Sequence, residues 1–174
     1  THADRVERFM RHIGWDRAAA KRIVELCTYD GHLPQGAPTS PKLANLVNYK
    51  LDARITALCT KRYAVARYSR YAYDIAVSLR HGSRYVREVG LLLGSLGEIV
   101  FDEGYMLNGR KTRVRRKHQQ QRVCGLVVNE RVRLPRELRR KLRAIDHRMK
   151  TTGTSSLSEA QYEGWCAYRE MVGD

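Results

Sequence analysis

The sequence lacks long apolar runs, closely spaced cysteines and internal repeats. No stretch of about eighteen apolar residues occurs, which excludes a membrane-spanning helix of ordinary length. The first residues, THADR, do not have the basic and then apolar layout of a signal peptide. The cysteines are too far apart for a zinc knuckle or a CxxC redox pair; they are Cys27, Cys59, Cys124 and Cys166. We expect a soluble, cytoplasmic protein with buried, reduced thiols.

Acidic side chains are also scarce. The 174 residues contain 18 Asp and Glu against 33 Lys and Arg, which gives a formal net charge of +15. Such an excess indicates a polyanionic partner, because basic side chains that meet phosphates release condensed counterions. Nucleic acid is the first candidate and an anionic membrane surface is the second. A hydrophobic content of 43% is enough for the core of one domain with or without a small appendage, and it argues against a largely disordered chain.

Apolar spacing predicts three helices in the first third of the chain, over residues 6–13, 16–28 and 41–59. Between the second and third helices, residues 29–41 hold two glycines and three prolines and must form a loop. Ser40 and Pro41 favour a helix start at the end of this loop.

The rest of the chain alternates between strand and helix patterns. Residues 63–79 predict two strands around a tight turn near 69–73, and residues 86–100 predict a helix. Two further strands are expected at 112–116 and 122–128. A helix follows Pro135, and Ser156 with Glu159 suggests a capping box for a final helix.

Two segments carry chemical signals. The loop Leu33–Pro41 lets the backbone approach a ligand closely, although an ordinary helix entry is the better explanation of the loop by itself. Asp74 lies at the predicted hairpin turn, where its carboxylate can reach a metal ion or can simply be solvated. Each segment by itself favours the structural explanation, so their order and context must decide.

Four segments follow one another in a characteristic order. They are LPQGAPTSP at 33–41 continued by LANL at 43–46, YAYD at 71–74, LNGRKT at 107–112 and VCGLVVN at 123–129. In this order they resemble the palm of reverse transcriptases, above all the bacterial retron-like and abortive-infection group, with the group II intron enzymes more distant. The residues after Leu134 are similar to the start of the helical thumb, so the resemblance spans nearly all of the chain.

The resemblance implies an α+β fold: a polymerase-type palm over residues 1–134, with an antiparallel sheet backed by helices, and a small helical thumb over 135–174, without fingers. It also implies RNA-templated DNA synthesis with Mg²⁺ ions that align the primer hydroxyl and the triphosphate. In that scheme Asp74 is a metal ligand and Lys111 lies near the nucleotide's phosphates. The nucleotide and template pocket is shaped by Gln35, Gly36, Ala37 and Pro38. The primer end is supported by Val123, Cys124 and Gly125, with Cys124 in place of the family's threonine.

Two departures from the family pattern predict that this chain is inactive. Tyr73 stands where the first aspartate of the metal-binding turn belongs, and a neutral, bulky phenol is a poor ligand for Mg²⁺. The family's earlier aspartate is expected upstream of Thr1, since Asp4 and Asp16 lie in or beside predicted helices. The chain is thus expected to match about the C-terminal two-thirds of a reverse transcriptase, cut just after its first catalytic strand.

Basic residues cluster at 110–118 and along the helix after Pro135. We expect at least one of these clusters to contact phosphates, together with cations beside the predicted turn, where Tyr68 and Tyr71 offer stacking surfaces. The predicted backbone contacts are Arg67, Arg70, Arg113, Arg115, Arg116, Lys117, Arg139, Arg140 and Arg143. The six histidines have no metal-ligand spacing, and we assign them no site.

Three hypotheses about function remain open from the sequence. The first is a partial, inactive reverse transcriptase with RNA and RNA/DNA hybrid as partners, weak or absent Mg²⁺ binding and no membrane association. The second is a non-catalytic RNA-binding or regulatory module of the same fold, which could act in phage defence with a protein partner. The third, a generic basic protein of a ribonucleoprotein particle, leaves the ordered motifs as coincidence. Surface left bare by missing fingers is also expected to favour a protein partner or self-association.

Overall fold

The computed structural model describes residues 1–62, 66–79, 85–153 and 157–173, with the side chains of 85–87 outside the description. The elements in chain order are α1 (Ala3–His12), α2 (Arg17–Cys27), α3 (Ser40–Val47), α4 (Tyr49–Arg62), β1 (Ala66–Tyr71), β2 (Asp74–Leu79), α5 (Tyr85–Asp102), β3 (Arg122–Val123), β4 (Leu126–Val127), α6 (Arg136–Thr152) and α7 (Glu159–Val172). They form two compact units, Thr1–Arg110 and Lys111–Asp174. The mixture of helices and small antiparallel sheets confirms the α+β class, while the palm and thumb boundaries stay a prediction.

In the first unit, one hydrophobic cluster forms where α1, α2 and α3 meet. Val6 and Met10 lie one helical turn apart on α1 and are buried against residues of the other two helices. Asp16 caps α2 by accepting a hydrogen bond from the Ala19 amide at 2.9 Å. The predicted helices at 6–13 and 16–28 are confirmed to within a few residues, because their caps and apolar faces agree.

The predicted single helix over 41–59 is wrong, because the chain breaks at Asn48 into α3 and α4. Asn48 is only 3% exposed. Its side-chain amide donates to the Ala44 carbonyl at 2.8 Å, and its oxygen accepts from the Tyr105 hydroxyl at 2.8 Å. The side chain therefore replaces part of the helical hydrogen bonding at the break. Apolar spacing continues across Asn48, so periodicity did not reveal it.

A second hydrophobic cluster lies between α4, α5 and the hairpin β1–β2. Ile55 is completely buried there, and Cys59 is 2% exposed. The hairpin is antiparallel, with register from Ala66 opposite Leu79 to Tyr71 opposite Asp74. The predicted pair of strands is thus confirmed, and the turn between them consists of only Ala72 and Tyr73.

The second unit differs from the prediction in its strands. Residues 112–116 form no strand, and the predicted strand at 122–128 is itself a tight hairpin, β3–β4, which turns at Cys124 and Gly125. Both turn residues have positive φ, 49° and 81°, the combination that hairpin turns of type I′ require. The prediction missed this turn because apolar residues continue on both sides of Cys124 and Gly125.

Helices α6 and α7 of the second unit are tied together by Asp146. It accepts from the Tyr162 hydroxyl at 2.9 Å and from Arg169 Nη1 at 2.6 Å. The bond from Tyr162 and, above all, that from Arg169 outweigh partial burial and hold the pKa of Asp146 below its ordinary value. This ion pair therefore favours the docked arrangement of the two helices at neutral pH.

The start of α7 also differs from the prediction. Ser158 and Gln161 form the capping box, so the predicted pair of Ser156 with Glu159 is wrong, and Ser156 itself lies outside the described residues. The N-cap lies two residues later than the sequence pattern indicated, and each serine is followed by an acidic or amide side chain three residues along the chain.

The four cysteines do not share one environment. Cys59 is buried, Cys27 and Cys166 are half-buried, and Cys124 is exposed, so the prediction of uniformly buried thiols is wrong. Cys124 is exposed because it occupies the tip of the β3–β4 turn. None of the helices in the described ranges combines the length and apolar character that crossing a bilayer requires.

We predict that Asn48→Ala destabilises the first unit by about 1–3 kcal/mol, because the hydroxyl of the half-buried Tyr105 loses its acceptor. The measurement is urea unfolding followed by the fluorescence of Trp15 in a Trp165→Phe background, which restricts the signal to this unit. Asn45→Ala is the control, since Asn45 is exposed on α3, and its effect should stay within about 0.5 kcal/mol. Equal effects of the two variants would contradict the assignment of Asn48 as a buried anchor.

Candidate functional site

The tip of the β1–β2 hairpin carries the residues that the sequence singled out for metal chemistry. Asp74 is the first residue of β2, and Tyr73 precedes it in the turn. The Tyr73 side chain is 60% exposed, and Tyr71 is 70% exposed. The Tyr73 hydroxyl accepts a hydrogen bond from the Thr1 ammonium group at 3.3 Å. The turn therefore presents one carboxylate and two phenol rings to its surroundings.

Beneath the turn, Asp52 of α4 binds two side chains of β1, a cluster that we call the Asp52 clamp (Asp52, Tyr68 and Arg70). Arg70 donates from Nε to Oδ1 at 2.7 Å and from Nη2 to Oδ2 at 2.6 Å. The Tyr68 hydroxyl donates to the same Oδ1. Arg70 also donates from Nη1 to the carbonyl of Ala72 at 2.8 Å. One guanidinium group thus joins the helix, the strand and the turn.

Burial and charge define the electrostatics of the clamp. The Arg70 side chain is 5% exposed and that of Asp52 is 33% exposed. Burial alone would raise the pKa of Asp52, but the hydrogen bonds from Arg70 and Tyr68 and the charge of Arg70 hold it below its ordinary value. Burial and the bond to Asp52 raise the pKa of the Tyr68 hydroxyl. At neutral pH the clamp therefore contains an ionised carboxylate, a guanidinium ion and a neutral phenol.

The clamp gives Arg70 a structural task in place of the phosphate contact that the sequence predicted for it. Arg67 lies on the opposite, exposed face of β1 and remains available for a nucleic-acid backbone. The alternation of side chains along β1 could have indicated this structural role from the sequence, because Tyr68 and Arg70 share a face with the buried Ala66. An arginine on the buried face of a strand needs an acidic partner, and Asp52 supplies it.

The loop before α3 lies close to Thr1, whose ammonium group also contacts Tyr73 of the turn. The Leu33 amide donates to the Thr1 carbonyl at 3.0 Å, so Thr1 contacts both predicted motifs of the first unit. The Ser40 hydroxyl donates to the Pro34 carbonyl at 2.7 Å and closes the loop. Gln35, Gly36 and Pro38 are exposed and Ala37 is half-buried. At Gly36, with φ of 89°, a Cβ would meet nothing within 4 Å, so the backbone is open to a ligand.

The second unit contains the other predicted site residues, and most of them are exposed. Lys111 is exposed, and Val123, Cys124 and Gly125 belong to the β3–β4 hairpin and its turn. The predicted phosphate contacts Arg113, Arg115, Arg116 and Lys117 are exposed in the segment before β3. On α6, Arg140 and Arg143 are exposed, whereas Arg139 is half-buried. These basic side chains form the surfaces that a polyanion can reach.

The donor groups at the turn do not fit a pair of divalent cations. Asp74 supplies one carboxylate, and the neighbouring Tyr73 supplies a neutral phenol in place of a second one. Within the described ranges, no group of three or more His, Cys, Asp and Glu side chains could hold a metal ion. Hard cations such as Mg²⁺ prefer several oxygen ligands with carboxylates among them. We therefore derive no chemical step through a metal from these residues.

We predict that Asp52→Asn destabilises the first unit by about 2 kcal/mol at pH 7, because it leaves the guanidinium of Arg70 buried without a counter-charge. The effect is smaller than the roughly 3–5 kcal/mol typical of fully buried pairs because part of the carboxylate is exposed. The measurement is again urea unfolding followed by Trp15 fluorescence in the Trp165→Phe background.

The difference in unfolding free energy between Asp52→Asn and the unmodified chain should depend on pH in a defined direction. Folding lowers the pKa of Asp52 from 3.8. The stabilisation that the ionised Asp52 contributes is therefore complete above pH 3.8, and it is lost as pH falls toward and through the lower pKa of the folded state. The difference between Asp52→Asn and the unmodified chain should therefore shrink below pH 3.8. Asp74→Asn is the control with an exposed carboxylate, and a constant difference between pH 7 and pH 3 for Asp52→Asn would contradict the clamp.

Comparison with known proteins finds several retron reverse transcriptases that are similar to this chain. No protein-family model matches the chain. The retron Ec86 reverse transcriptase of Escherichia coli is 32% identical over 167 residues, which cover 95% of this chain and 50% of that protein. The retron Mx162 and Mx65 reverse transcriptases of Myxococcus xanthus are 40% and 38% identical over 80% and 79% of this chain, and each match covers 31% of the relative. The chain thus spans half or less of these relatives, and over most of its own length it is similar to part of a retron reverse transcriptase.

Proposed function

We propose that the chain is the RNA-binding palm and thumb portion of a retron-like reverse transcriptase and that it does not itself catalyse nucleotidyl transfer. The parent activity is RNA-templated DNA synthesis, as the names of its relatives indicate. The palm comprises residues 1–134 and the thumb 135–174 in this proposal. A cytoplasmic location follows from an RNA template as partner.

The observation that carries the proposal is the composition of the hairpin turn. In two-metal catalysis, carboxylates hold two cations that stabilise the attacking and leaving oxygens of the transferred phosphoryl group. Reverse transcriptases use divalent metals in general, and Mg²⁺ is the metal expected here. Only Asp74 offers a carboxylate at the turn, because position 73 holds a tyrosine. A phenol neither neutralises a cation nor leaves the space that a second ion needs.

The remaining predicted residues bind and position nucleic acid in this proposal. Gln35 to Pro38 shape a pocket for template and nucleotide, which their exposure and the open space at Gly36 support. Lys111 neutralises phosphate charge. Val123 to Gly125 support a primer end, and the exposed tip of the β3–β4 turn is consistent with this role.

RNA and RNA/DNA hybrid are the proposed partners because the chain carries a formal net charge of +15. The proposed backbone contacts are Arg67 in the first unit and Arg113, Arg115, Arg116, Lys117, Arg139, Arg140 and Arg143 in the second. Arg70 is withdrawn from this set, since its guanidinium binds Asp52 and the Ala72 carbonyl.

A second candidate function is a non-catalytic RNA-binding or regulatory module that works with a protein partner in phage defence. The intact Asp52 clamp favours it, because the turn keeps an ordered geometry that metal binding does not explain. Large apolar side chains are also exposed, with Leu26 85%, Tyr29 79% and Met106 85% accessible. Such side chains are available to a protein partner or to self-association.

We predict no templated product when the chain is incubated with an RNA template, a DNA primer, nucleotides and Mg²⁺. Tyr73→Asp restores the second carboxylate of the turn, and we expect it to remain inactive as well, since one turn alone does not supply the three carboxylates that the family uses. Primer extension resolved by gel electrophoresis measures both proteins. Templated product from the unmodified chain would refute the proposed inactivity, and product from Tyr73→Asp alone would show that Tyr73 is the sole obstacle.

We also predict that the chain binds single-stranded RNA in a strongly salt-dependent and Mg²⁺-independent manner. Each phosphate neutralised contributes about −0.7 to the slope of log K against log salt, so about five contacts give a slope near −3.5. Fluorescence anisotropy between about 50 and 300 mM salt, with Mg²⁺ or with EDTA, measures the slope. A flat salt dependence, or binding that disappears in EDTA, would contradict RNA binding by basic side chains alone.

A further inference from the structure

The segment before and through the β3–β4 hairpin carries positive charge without any compensation from its own sequence. Residues 111–129 contain no Asp or Glu. They contain the six basic residues Lys111, Arg113, Arg115, Arg116, Lys117 and Arg122. Like charges so close together repel one another, which favours an extended, irregular chain unless other bonds hold it.

Asn129 provides such bonds from the far side of the hairpin. Its amide nitrogen donates to the carbonyls of Gln119 at 2.8 Å and Lys117 at 3.3 Å. Its amide oxygen accepts from the backbone amide of Gln121 at 2.9 Å. One side chain thus binds three backbone groups of a segment that forms neither helix nor strand.

Two glutamines extend the same network into the basic part of the segment. Gln121 Nε2 donates to the Arg115 carbonyl at 3.3 Å. The Arg116 amide donates to Gln119 Oε1 at 3.0 Å, and the Gln119 amide donates to the Arg116 carbonyl at 2.9 Å. Every bond in this network satisfies a backbone group with an uncharged amide or with backbone. The backbone is therefore held while the charges on its side chains remain.

The backbone next to Asn129 is itself fixed by hydrogen bonds in and beside the β3–β4 hairpin. The Val128 amide donates to the Gln121 carbonyl at 3.0 Å. Val127 and Arg133 exchange two backbone hydrogen bonds, at 2.8 and 2.9 Å. Asn129 therefore projects from an ordered backbone, and the segment that it holds needs little additional ordering when it binds a partner.

We propose that Asn129 is a positioning residue that holds the basic loop, defined as residues 115–117, in the shape that binds the phosphodiester backbone of single-stranded RNA. The inference rests on the proposed function of RNA binding and names the surface that performs it. Arg115, Arg116 and Lys117 are exposed. A purely structural loop would be expected to hold so many cations with carboxylates, whereas this one is held by neutral amides that leave its charge for a polyanion.

The test compares two variants of the full chain in RNA binding at several salt concentrations. Asn129→Ala releases the loop without changing its charge. The triple variant Arg115→Ala, Arg116→Ala and Lys117→Ala removes the charge but leaves Asn129. Lys21→Ala with Arg22→Ala is the control, because it removes two exposed charges from α2. Circular dichroism verifies that each variant retains its helices, and Gln121→Ala serves as a second release variant should Asn129→Ala fail to fold.

The two variants should differ in a way that separates position from charge. Asn129→Ala should weaken binding about fivefold with an unchanged salt slope, because the same phosphates are neutralised once the loop has been ordered on RNA. The triple variant should weaken binding and reduce the slope by about 2, at roughly 0.7 per lost contact. Adding Asn129→Ala to the triple variant should cause no further loss, and amide exchange at Gln121 should become faster in Asn129→Ala.

Each contrary outcome has its own meaning. Wild-type affinity of the triple variant would show that the basic loop does not contact RNA, and wild-type affinity of Asn129→Ala alone would show that the loop needs no positioning. An equal further loss from Asn129→Ala in the triple background would assign Asn129 a general folding role. Absence of RNA binding by the unmodified chain would overturn the proposed function together with this inference.

Discussion

The ion pair between Asp52 and Arg70 determines the geometry of the candidate site. It joins α4 to the buried face of β1, and its third hydrogen bond fixes the carbonyl of the turn residue Ala72. Because the Arg70 side chain is almost fully buried, removing Asp52 leaves a guanidinium charge that water cannot reach easily. The orientation of Tyr73 and Asp74 therefore depends on residues that do not themselves face the surroundings.

The same physical solution recurs where the chain departs from regular structure. Asn48 satisfies backbone and side-chain groups at the break between α3 and α4, and Asn129 satisfies three backbone groups of a segment outside helix and strand. Asp146 ties α6 to α7 in the second unit. Asn48 and Asn129 thus bind groups at points where the backbone leaves helix and strand, whereas Asp146 joins two helices through side-chain bonds alone.

The sequence predicted what depends on periodicity and on motifs, and it missed what depends on single polar contacts. Helices α1, α2 and α5 and the hairpin β1–β2 follow from apolar spacing, and the family resemblance followed from ordered motifs such as LPQGAPTSP. The helix break at Asn48 and the β3–β4 turn were missed because apolar residues continue on both sides. Asp52 was missed because its partners lie on a strand 16 and 18 residues away. The roles assigned to individual site residues remain predictions.

The Asp52 clamp makes the shape of the turn independent of the side chain at position 73. Arg70 donates a hydrogen bond to the backbone carbonyl of Ala72, and it donates another to Asp52 of α4. Neither bond involves residue 73. An aspartate and a tyrosine codon differ by one nucleotide, and exchanging them here leaves both of these bonds in place. The set of oxygen ligands at this turn can therefore change in one genetic step, while the bonds that hold the turn in place remain.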